Sequence, residues 1–343
     1  MLLETHRFRL LGLLPLVLLA CTGEVASSAP DAPADGPGIP VPAPDGTVSA
    51  PGDAAPRVLA ALAGVRQLAV AGDRVFVVSG GSGATSHLLT MRTDGSELKE
   101  LPGLACHELI GGRTEALCAR GTTVTILPAD GASYDTSGTS YGYDYDVDSL
   151  GAFFVARDED EGFVGTWDSK YSSQVYSLTR GARGPLEAKR YLSIGMGCRG
   201  IAVDPENVFS LRYQPASPYG DAGTKLYATA RVGSGGRTVA DVGKEAYSLA
   251  VTSKNLFWWD ATTRTLMTIA KAGDAQPRAV QPSESTARSN GDRVYWTGGG
   301  LFRAEADGTR VTRLADDASS ASPTFDDQYV YYANGKAVLR IAK

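Results

Sequence analysis

The stretch Gly291-Asp292-Arg293-Val294-Tyr295-Trp296-Thr297 is a short turn followed by a β-rich run, and it decides the fold because it is repeated. Seven runs of this kind occur, anchored at Val75, Leu117, Phe153, Val208, Leu256, Val294 and Val330. The mean spacing of these anchors is about 42 residues, which is the length of one four-stranded blade of a β-propeller. The repeat therefore predicts a ring of blades.

A second motif follows each anchor and supports the same fold. Its clearest copy is Leu301-Phe302-Arg303-Ala304-Glu305-Ala306-Asp307-Gly308, a strand that ends in a glycine turn. Each repeat then consists of an inner strand, a tight turn, a second strand, a loop, a third strand, a glycine turn and an outer strand. Because one such sheet has exposed edges, the copies must pack round a common axis. The sequence predicts an all-β, seven-bladed β-propeller over residues 57–343.

The two ends of this region predict how the ring closes. The last repeat stops at Lys343 after its third strand, so it lacks an outer strand. Residues 57–62 resemble the outer strand at residues 277–280. We therefore predict that the N-terminal strand completes the last blade and removes its open edge.

A family resemblance appears at the fourth to seventh repeats. Val294-Tyr295-Trp296-Thr297, followed by residues 301–309, resembles the YWTD repeat of low-density-lipoprotein-receptor propellers, although Gly298 stands where that family has aspartate. Residues 256–260 and 201–205 are similar to other parts of the repeat. The family has six blades, so six is the alternative count here. Secreted bacterial propellers with this repeat also exist, and the resemblance implies a fold without implying a function.

The N-terminus predicts export. Arg7 and Arg9 precede an apolar run of eleven residues that ends at Ala20, so residues 1–20 are predicted to be a signal peptide. Leu18-Leu19-Ala20-Cys21 resembles the lipobox of bacterial lipoproteins, which implies lipidation (including palmitate) of Cys21. The alternative is an ordinary signal peptide with a chance cysteine. Since Thr22 is not the aspartate linked to inner-membrane retention, the resemblance implies the outer membrane of the bacterial cell envelope.

The segment after the cysteine is predicted to be a tether. Residues 21–56 contain eight of the 18 prolines together with Ala, Gly and Asp, and they show no hydrophobic periodicity. Such a composition cannot bury a core, so we expect an extended, solvated chain.

Charge and histidine content exclude several classes of function. The formal net charge of −5 has no basic block, which argues against nucleic acid and against binding an anionic membrane surface. The lipid is thus the predicted contact with the membrane. Only His87 and His107 remain beyond the leader, and the common nucleophile, zinc, phosphate and dinucleotide motifs are absent from the sequence. We therefore predict that the protein is not an enzyme.

The cysteines beyond the leader predict a disulfide. Cys106 and Cys118 are symmetric about Gly112, the centre of a predicted hairpin, so they can face each other in an oxidising compartment. Two free buried thiols are the alternative. Cys198 is left over, and we expect it to be buried beneath the inner strand at Ile201.

Three alternating carboxylates form a candidate metal site. Asp144, Asp146 and Asp148 place three carboxylates on one side of a strand or turn, where a calcium ion would neutralise them. The EF-hand pattern is not met, and a solvated acidic edge is the alternative. No other cofactor is predicted.

Long loops rich in tyrosine define a predicted binding face. They cover residues 134–145, 157–173 and 213–224, in the connections that share one face of a propeller. Polar-tipped aromatic residues on such loops are typical of protein and carbohydrate recognition. The alternative is that they pack their own loops. The predicted contact residues are Tyr141, Tyr143, Tyr145, Trp167, Tyr171, Tyr213 and Tyr219.

Together these features predict a monomeric, membrane-anchored envelope lipoprotein. Its predicted function is non-enzymatic binding or scaffolding of an envelope protein or a glycan. The alternative is a secreted propeller enzyme, a lyase or a glycan-active hydrolase, that uses acidic residues and calcium. A structural ring without a specific ligand is a third hypothesis.

Overall fold

A computed structural model describes residues 55–80, 86–104, 106–120, 123–130, 151–158, 161–167, 174–180, 186–193, 197–216, 222–231 and 235–343. All of them lie in one compact unit, Pro44–Lys343. They form strands, turns and loops but no helix, so none of the described elements is a long apolar helix able to cross a membrane. The predicted signal peptide, Cys21 and most of the tether lie outside the described residues.

The described strands make seven antiparallel sheets, numbered here along the chain. Strand β1 spans Arg57–Ala60. Sheet 1 contains β2 (Val65–Ala71), β3 (Arg74–Gly80), β4 (Ser86–Arg92) and β5 (Lys99–Glu100), and sheet 2 contains β6 (Glu108–Ile110), β7 (Glu115–Arg120) and β8 (Thr123–Pro128). Sheet 3 contains β9 (Gly151–Asp158), β10 (Glu161–Trp167), β11 (Gln174–Arg180) and β12 (Leu186–Ser193).

The remaining sheets follow the same order of strands. Sheet 4 contains β13 (Gly197–Val203), β14 (Asn207–Gln214), β15 (Gly223–Ala230) and β16 (Gly236–Asp241), and sheet 5 contains β17 (Ala246–Val251), β18 (Asn255–Asp260), β19 (Thr265–Ala270) and β20 (Arg278–Pro282). Sheet 6 contains β21 (Arg288–Ser289), β22 (Arg293–Thr297), β23 (Leu301–Glu305) and β24 (Thr312–Ala315). Sheet 7 contains β25 (Thr324–Phe325), β26 (Tyr329–Ala333), β27 (Val338–Ala342) and β1.

The first strands of neighbouring sheets contact one another, which places them round a common axis. Contacts join β25 to β2, β2 to β6, β6 to β9, β9 to β13, β13 to β17 and β17 to β21. Sheets 6 and 7 meet through a shared hydrophobic cluster that includes Tyr295 and Tyr332. The predicted all-β propeller class is therefore confirmed, with six four-stranded sheets and one three-stranded sheet among the described residues.

The aromatic run of the deciding repeat is core because each sheet is covered on both faces. Successive side chains of a strand point to opposite faces. Val294 and Trp296 accordingly join the cluster between sheets 5 and 6, whereas Tyr295 joins the one between sheets 6 and 7. All three side chains are buried. A strand buried on both faces has no polar alternation, which explains the continuous apolar pattern.

The departure of Gly298 from the YWTD pattern has a steric cause. A Cβ atom at this position would lie 2.7 Å from the carbonyl oxygen of Pro282 at the end of sheet 5. The turn after β22 thus packs directly on the neighbouring sheet, where any side chain would force the backbone apart.

Two expectations about the third repeat were wrong. Phe153 lies in β9, the first strand of sheet 3, rather than in a second strand. The predicted loop at residues 157–173 contains strand β10, which ends at Trp167. The cause is the long interval between Phe153 and Val208, because it holds four strands, β10 to β13, where the repeat predicted three.

Strand β1 pairs antiparallel with β27 at the outer edge of sheet 7. Arg57 lies opposite Arg340 and Val58 opposite Leu339. The Arg340 guanidinium also donates to the Thr93 carbonyl oxygen of sheet 1 at 2.6 Å. The two ends of the described domain therefore meet in one sheet, beside sheet 1.

Candidate functional site

Two adjoining cavities lie at the axis, where the first strands end. One has a volume of about 700 Å³ and the other about 470 Å³. Ile110, Arg288, Ser289 and Asn290 line both cavities, so the two meet at these residues. We call them together the axial cavity. Volumes of this order are typical of small-molecule sites.

The polar residues that follow the first strands of sheets 4 to 7 stabilise tight turns. Each of these residues accepts a hydrogen bond on its side-chain oxygen from the backbone N–H three residues later, at 2.7–3.0 Å. They are Asp204, Thr252, Asn290 and Asp326. Such Asx and ST turns satisfy backbone groups locally. The hydroxyl group of Tyr331 donates to Asp326 at 2.6 Å, and burial together with this carboxylate raises the pKa of the Tyr331 phenol. Asp204 in turn accepts from Lys271 at 2.7 Å. These carboxylates are therefore engaged in the fold.

One inner strand carries a basic side chain at a position where three others carry alanine. Two positions before the capping residue, sheets 4 and 5 carry Ala202 and Ala250, and sheet 1 carries Ala69 at the matching position. All three alanines are buried against a neighbouring sheet. Sheet 6 carries Arg288 there, and its half-buried side chain extends into the axial cavity.

The Arg288 guanidinium reaches across the ring to sheet 2. Its Nη2 donates to the carbonyl oxygen of Leu109 at 3.5 Å, the one hydrogen bond of this side chain among the described residues. Burial lowers the pKa of Arg288, and the nearby Glu108 carboxylate opposes that change. No carboxylate of the described residues lies within 4.0 Å of its nitrogens.

Glu108 is the carboxylate that faces this cation. It begins β6 and is half-buried. Burial raises the pKa of Glu108 to about 7, while Arg288 and Arg66 act in the opposite direction. A carboxyl with a perturbed pKa beside a cation makes this part of the ring a candidate functional site.

The predicted disulfide is confirmed. Cys106 and Cys118 are bonded, with their Cα atoms 5.3 Å apart. The hairpin is centred between Arg113 and Thr114 rather than at Gly112, because Leu109 pairs with Cys118. Cys106 therefore lies just before β6 instead of directly opposite Cys118. Cys198 is buried, as expected, and its Sγ lies 3.8 Å from the Gly200 carbonyl oxygen.

Most of the predicted binding face and the whole carboxylate set fall outside the described residues. This applies to Tyr141, Tyr143, Tyr145, Tyr171 and Tyr219, and to Asp144, Asp146 and Asp148. Trp167 ends strand β10. The ring of Tyr213 stacks on the guanidinium of Arg199 at 4.1 Å, and that guanidinium also lies over Tyr247 at 4.6 Å.

Among the described residues, no hydrogen bond joins a histidine side chain to a serine or a cysteine. The exposed His87 of β4 has its Nδ1 2.7 Å from Glu100 Oε1. The backbone N–H of His107 donates to Ala119 at 2.8 Å. No cluster of three potential metal ligands occurs among the described residues.

Comparison with known proteins identifies the fold class, a β-propeller. No family model matches the sequence, and no curated protein matches it. The β-propeller domain of the Trilobed protease from Pyrococcus furiosus is similar with a TM-score of 0.56, at 7% identity over 82% of this chain and 96% of that one. An acylaminoacyl peptidase from Pyrococcus horikoshii has a TM-score of 0.55, at 8% identity over 82% of this chain and 51% of that one.

A further similar structure is a puromycin-hydrolyzing peptidase from Mycobacterium tuberculosis. Its TM-score is 0.54, at 14% identity over 83% of this chain and 52% of that one. The chain spans about half the length of such peptidases. These likenesses show the fold.

The predicted non-enzymatic binding or scaffolding function is contradicted by these comparisons. The similar structures named here are two peptidases and the propeller domain of a protease, none of them a stand-alone scaffold, and at 7–14% identity the likeness itself shows the fold. The prediction failed because the repeat specifies a ring and carries no information about what the ring accompanies. The axial cavity also lies at the turns after the first strands.

Sequence reasoning missed Arg288. The signal was present in the repeat, because Leu68-Ala69-Val70, Ile201-Ala202-Val203 and Leu249-Ala250-Val251 share one frame. Ala287-Arg288-Ser289 departs from that frame by placing a cation where these three inner strands have alanine.

Proposed function

We propose that this chain is an enzyme-associated β-propeller that admits short peptides to a peptidase active site located outside the described residues. The observation that carries the proposal is the axial cavity. Its larger part, about 700 Å³, has room for a short extended peptide and excludes a folded domain. The likeness to propellers of peptidases supports the same class of function.

The first strands give the cavity a chemistry that suits peptides. Strands β2, β13, β17 and β21 each lie at the axial end of their sheet. Some groups of that edge are engaged, as Gln67 of β2 bridges Ser322 and the Val251 carbonyl oxygen of β17 accepts from Ser289. The backbone groups that no neighbouring strand engages are the ones that a peptide in the cavity would use. Free strand edges recognise extended peptides through main-chain hydrogen bonds, which tolerate many side chains.

Blocking the cavity is expected to suppress the associated activity. Ile110→Trp places a large ring where the two parts of the cavity meet, and Leu98→Trp adds the same ring at an exposed position as the control. The full chain is affinity-purified from its source with its associated proteins, and hydrolysis of a quenched fluorescent pentapeptide is measured. Wild type and Leu98→Trp should carry equal activity, with Ile110→Trp about tenfold lower, a barrier change of about 1.4 kcal/mol. Absence of peptide hydrolysis, or equal activity in all three, contradicts the proposal.

We also propose that sheet 2 is a true blade, so that seven blades form a ring closed by β1. Hydrophobic clusters shared by neighbouring sheets support this count. One cluster joins sheets 1 and 2, and another joins sheets 7 and 1 and includes Ala60 of β1.

Export and lipid anchoring at Cys21 remain part of the proposal. The lipobox-like sequence supports them, and the Cys106–Cys118 disulfide agrees with an oxidising compartment. Cys21→Ser is expected to move the protein from the membrane to the soluble fraction and to abolish incorporation of labelled palmitate. Cys198→Ser serves as the control. A Cys21→Ser protein that still fractionates with membranes contradicts the anchor.

A further inference from the structure

We infer that Arg288 binds the free terminal carboxylate of a peptide held in the axial cavity. The inference rests on the proposed function and specifies its substrate class, short peptides with an unblocked C-terminus. It assigns to one residue the recognition of one end of the ligand.

The position of Arg288 leaves its donors available. A guanidinium carries five N–H donors in a planar fork. One of them makes a long hydrogen bond of 3.5 Å to Leu109, and the described residues supply no other partner. Arg288 lines both parts of the axial cavity, so a ligand held there can approach its guanidinium. A carboxylate can accept two parallel N–H bonds from such a fork.

The other charged groups of the cavity are either engaged or exposed. Asp204 pairs with Lys271, and Asp326 accepts from Tyr331 and from its own turn. Arg113 lies exposed at the rim, and Lys343 has its ammonium over the Phe325 ring at 5.0 Å. Arg288 is therefore the half-buried cation where the two parts of the cavity meet, whereas Lys271 is held in an ion pair and Arg113 is exposed at the rim.

The balance of charge favours a single planar anion. The Glu108 carboxylate attracts Arg288 but is not in an ion pair with it, and burial disfavours its ionised form. A dianionic phosphate would call for a second cation. Lys271 is held by Asp204 at 2.7 Å, and Arg113 and Lys343 line the larger part of the cavity without a described contact to Arg288. One guanidinium fork matches one carboxylate in both charge and shape.

The test compares trialanine with its C-terminal amide by isothermal titration calorimetry on the full-length protein. In wild type, the free acid is expected to bind at least about tenfold more tightly than the amide, as for a hydrogen bond to a charged group. Arg288→Gln should remove that preference and leave the affinity for the amide unchanged. Arg113→Gln, the same exchange at the exposed rim, should keep the preference. Acetate should compete with the free acid better than inorganic phosphate does.

The outcomes separate this inference from the proposed function. Equal binding of acid and amide, with both weakened by Ile110→Trp, overturns the carboxylate site and leaves the peptide channel standing. Binding of neither peptide, or binding unaffected by Ile110→Trp, overturns the channel itself. Stronger competition by phosphate than by acetate also overturns the carboxylate site. If Arg288→Gln does not fold, the acid-to-amide ratio and the competition in wild type decide the matter.

Discussion

Deleting residues 57–62 is expected to lower the melting temperature by about 10 °C. The deletion removes β1, which pairs with β27. Without β1, strand β27 becomes an open edge of sheet 7. Loss of about four backbone hydrogen bonds corresponds to about 4 kcal/mol. Removal of Ala60 from the cluster between sheets 7 and 1 adds to this loss. The measurement is thermal unfolding followed by circular dichroism or calorimetry.

A deletion of equal length in the predicted tether, residues 44–49, is the matched control. It shortens the chain without removing a described strand, so its melting temperature should equal that of wild type. If the deletion of 57–62 melts together with this control, β1 does not close the ring.

Glu108 is expected to give the folded protein a distinctive pH dependence. Its pKa rises from 4.5 to about 7 on folding, so the folded state holds its proton more tightly than the unfolded state. Below about pH 4.5 both states are protonated and the group has no effect on stability. Between these values only the unfolded state ionises, so the free energy of unfolding falls as the pH rises. Above about pH 7 the loss is complete, at about 3 kcal/mol.

Glu108→Gln cannot titrate and should not show this loss. Urea unfolding at a series of pH values should therefore show wild type losing about 3 kcal/mol relative to Glu108→Gln between about pH 4 and pH 8. Glu206→Gln, at an exposed glutamate, should follow the wild-type profile. Parallel profiles for wild type and Glu108→Gln would show that Glu108 is not desolvated by the fold.

The propeller could be predicted from sequence because each repeat contains a second strand with the same burial requirement. Each second strand is covered on both faces, so Val294-Tyr295-Trp296 and its counterparts must be continuously apolar. The disulfide followed from the short separation of Cys106 and Cys118 in a predicted hairpin. Such patterns involve residues close together in sequence, so they determine the local structure directly.

The axial cavity could not be predicted in the same way. It is built from the ends of strands far apart in the chain, and Arg288 meets Leu109 across 179 residues of sequence. A single cation in a short polar segment has no local pattern to mark it. The strand assignment in sheet 3 was wrong for a related reason. The interval from Phe153 to Val208 is long, and the repeat spacing alone does not show where the extra strand lies.

The pairing of β1 with β27 has a topological consequence. Neighbouring sheets are joined by the chain that runs from one to the next. Sheets 7 and 1 are joined differently, because the chain that leads into sheet 1 begins with β1, and β1 is the outer strand of sheet 7. The seam between β1 and β27 is held by hydrogen bonds and side-chain packing alone. Separation of these two strands would leave β27 as the open edge of sheet 7. The two ends of the described domain are thus joined without a covalent link, so whatever loosens this pairing frees both ends at once.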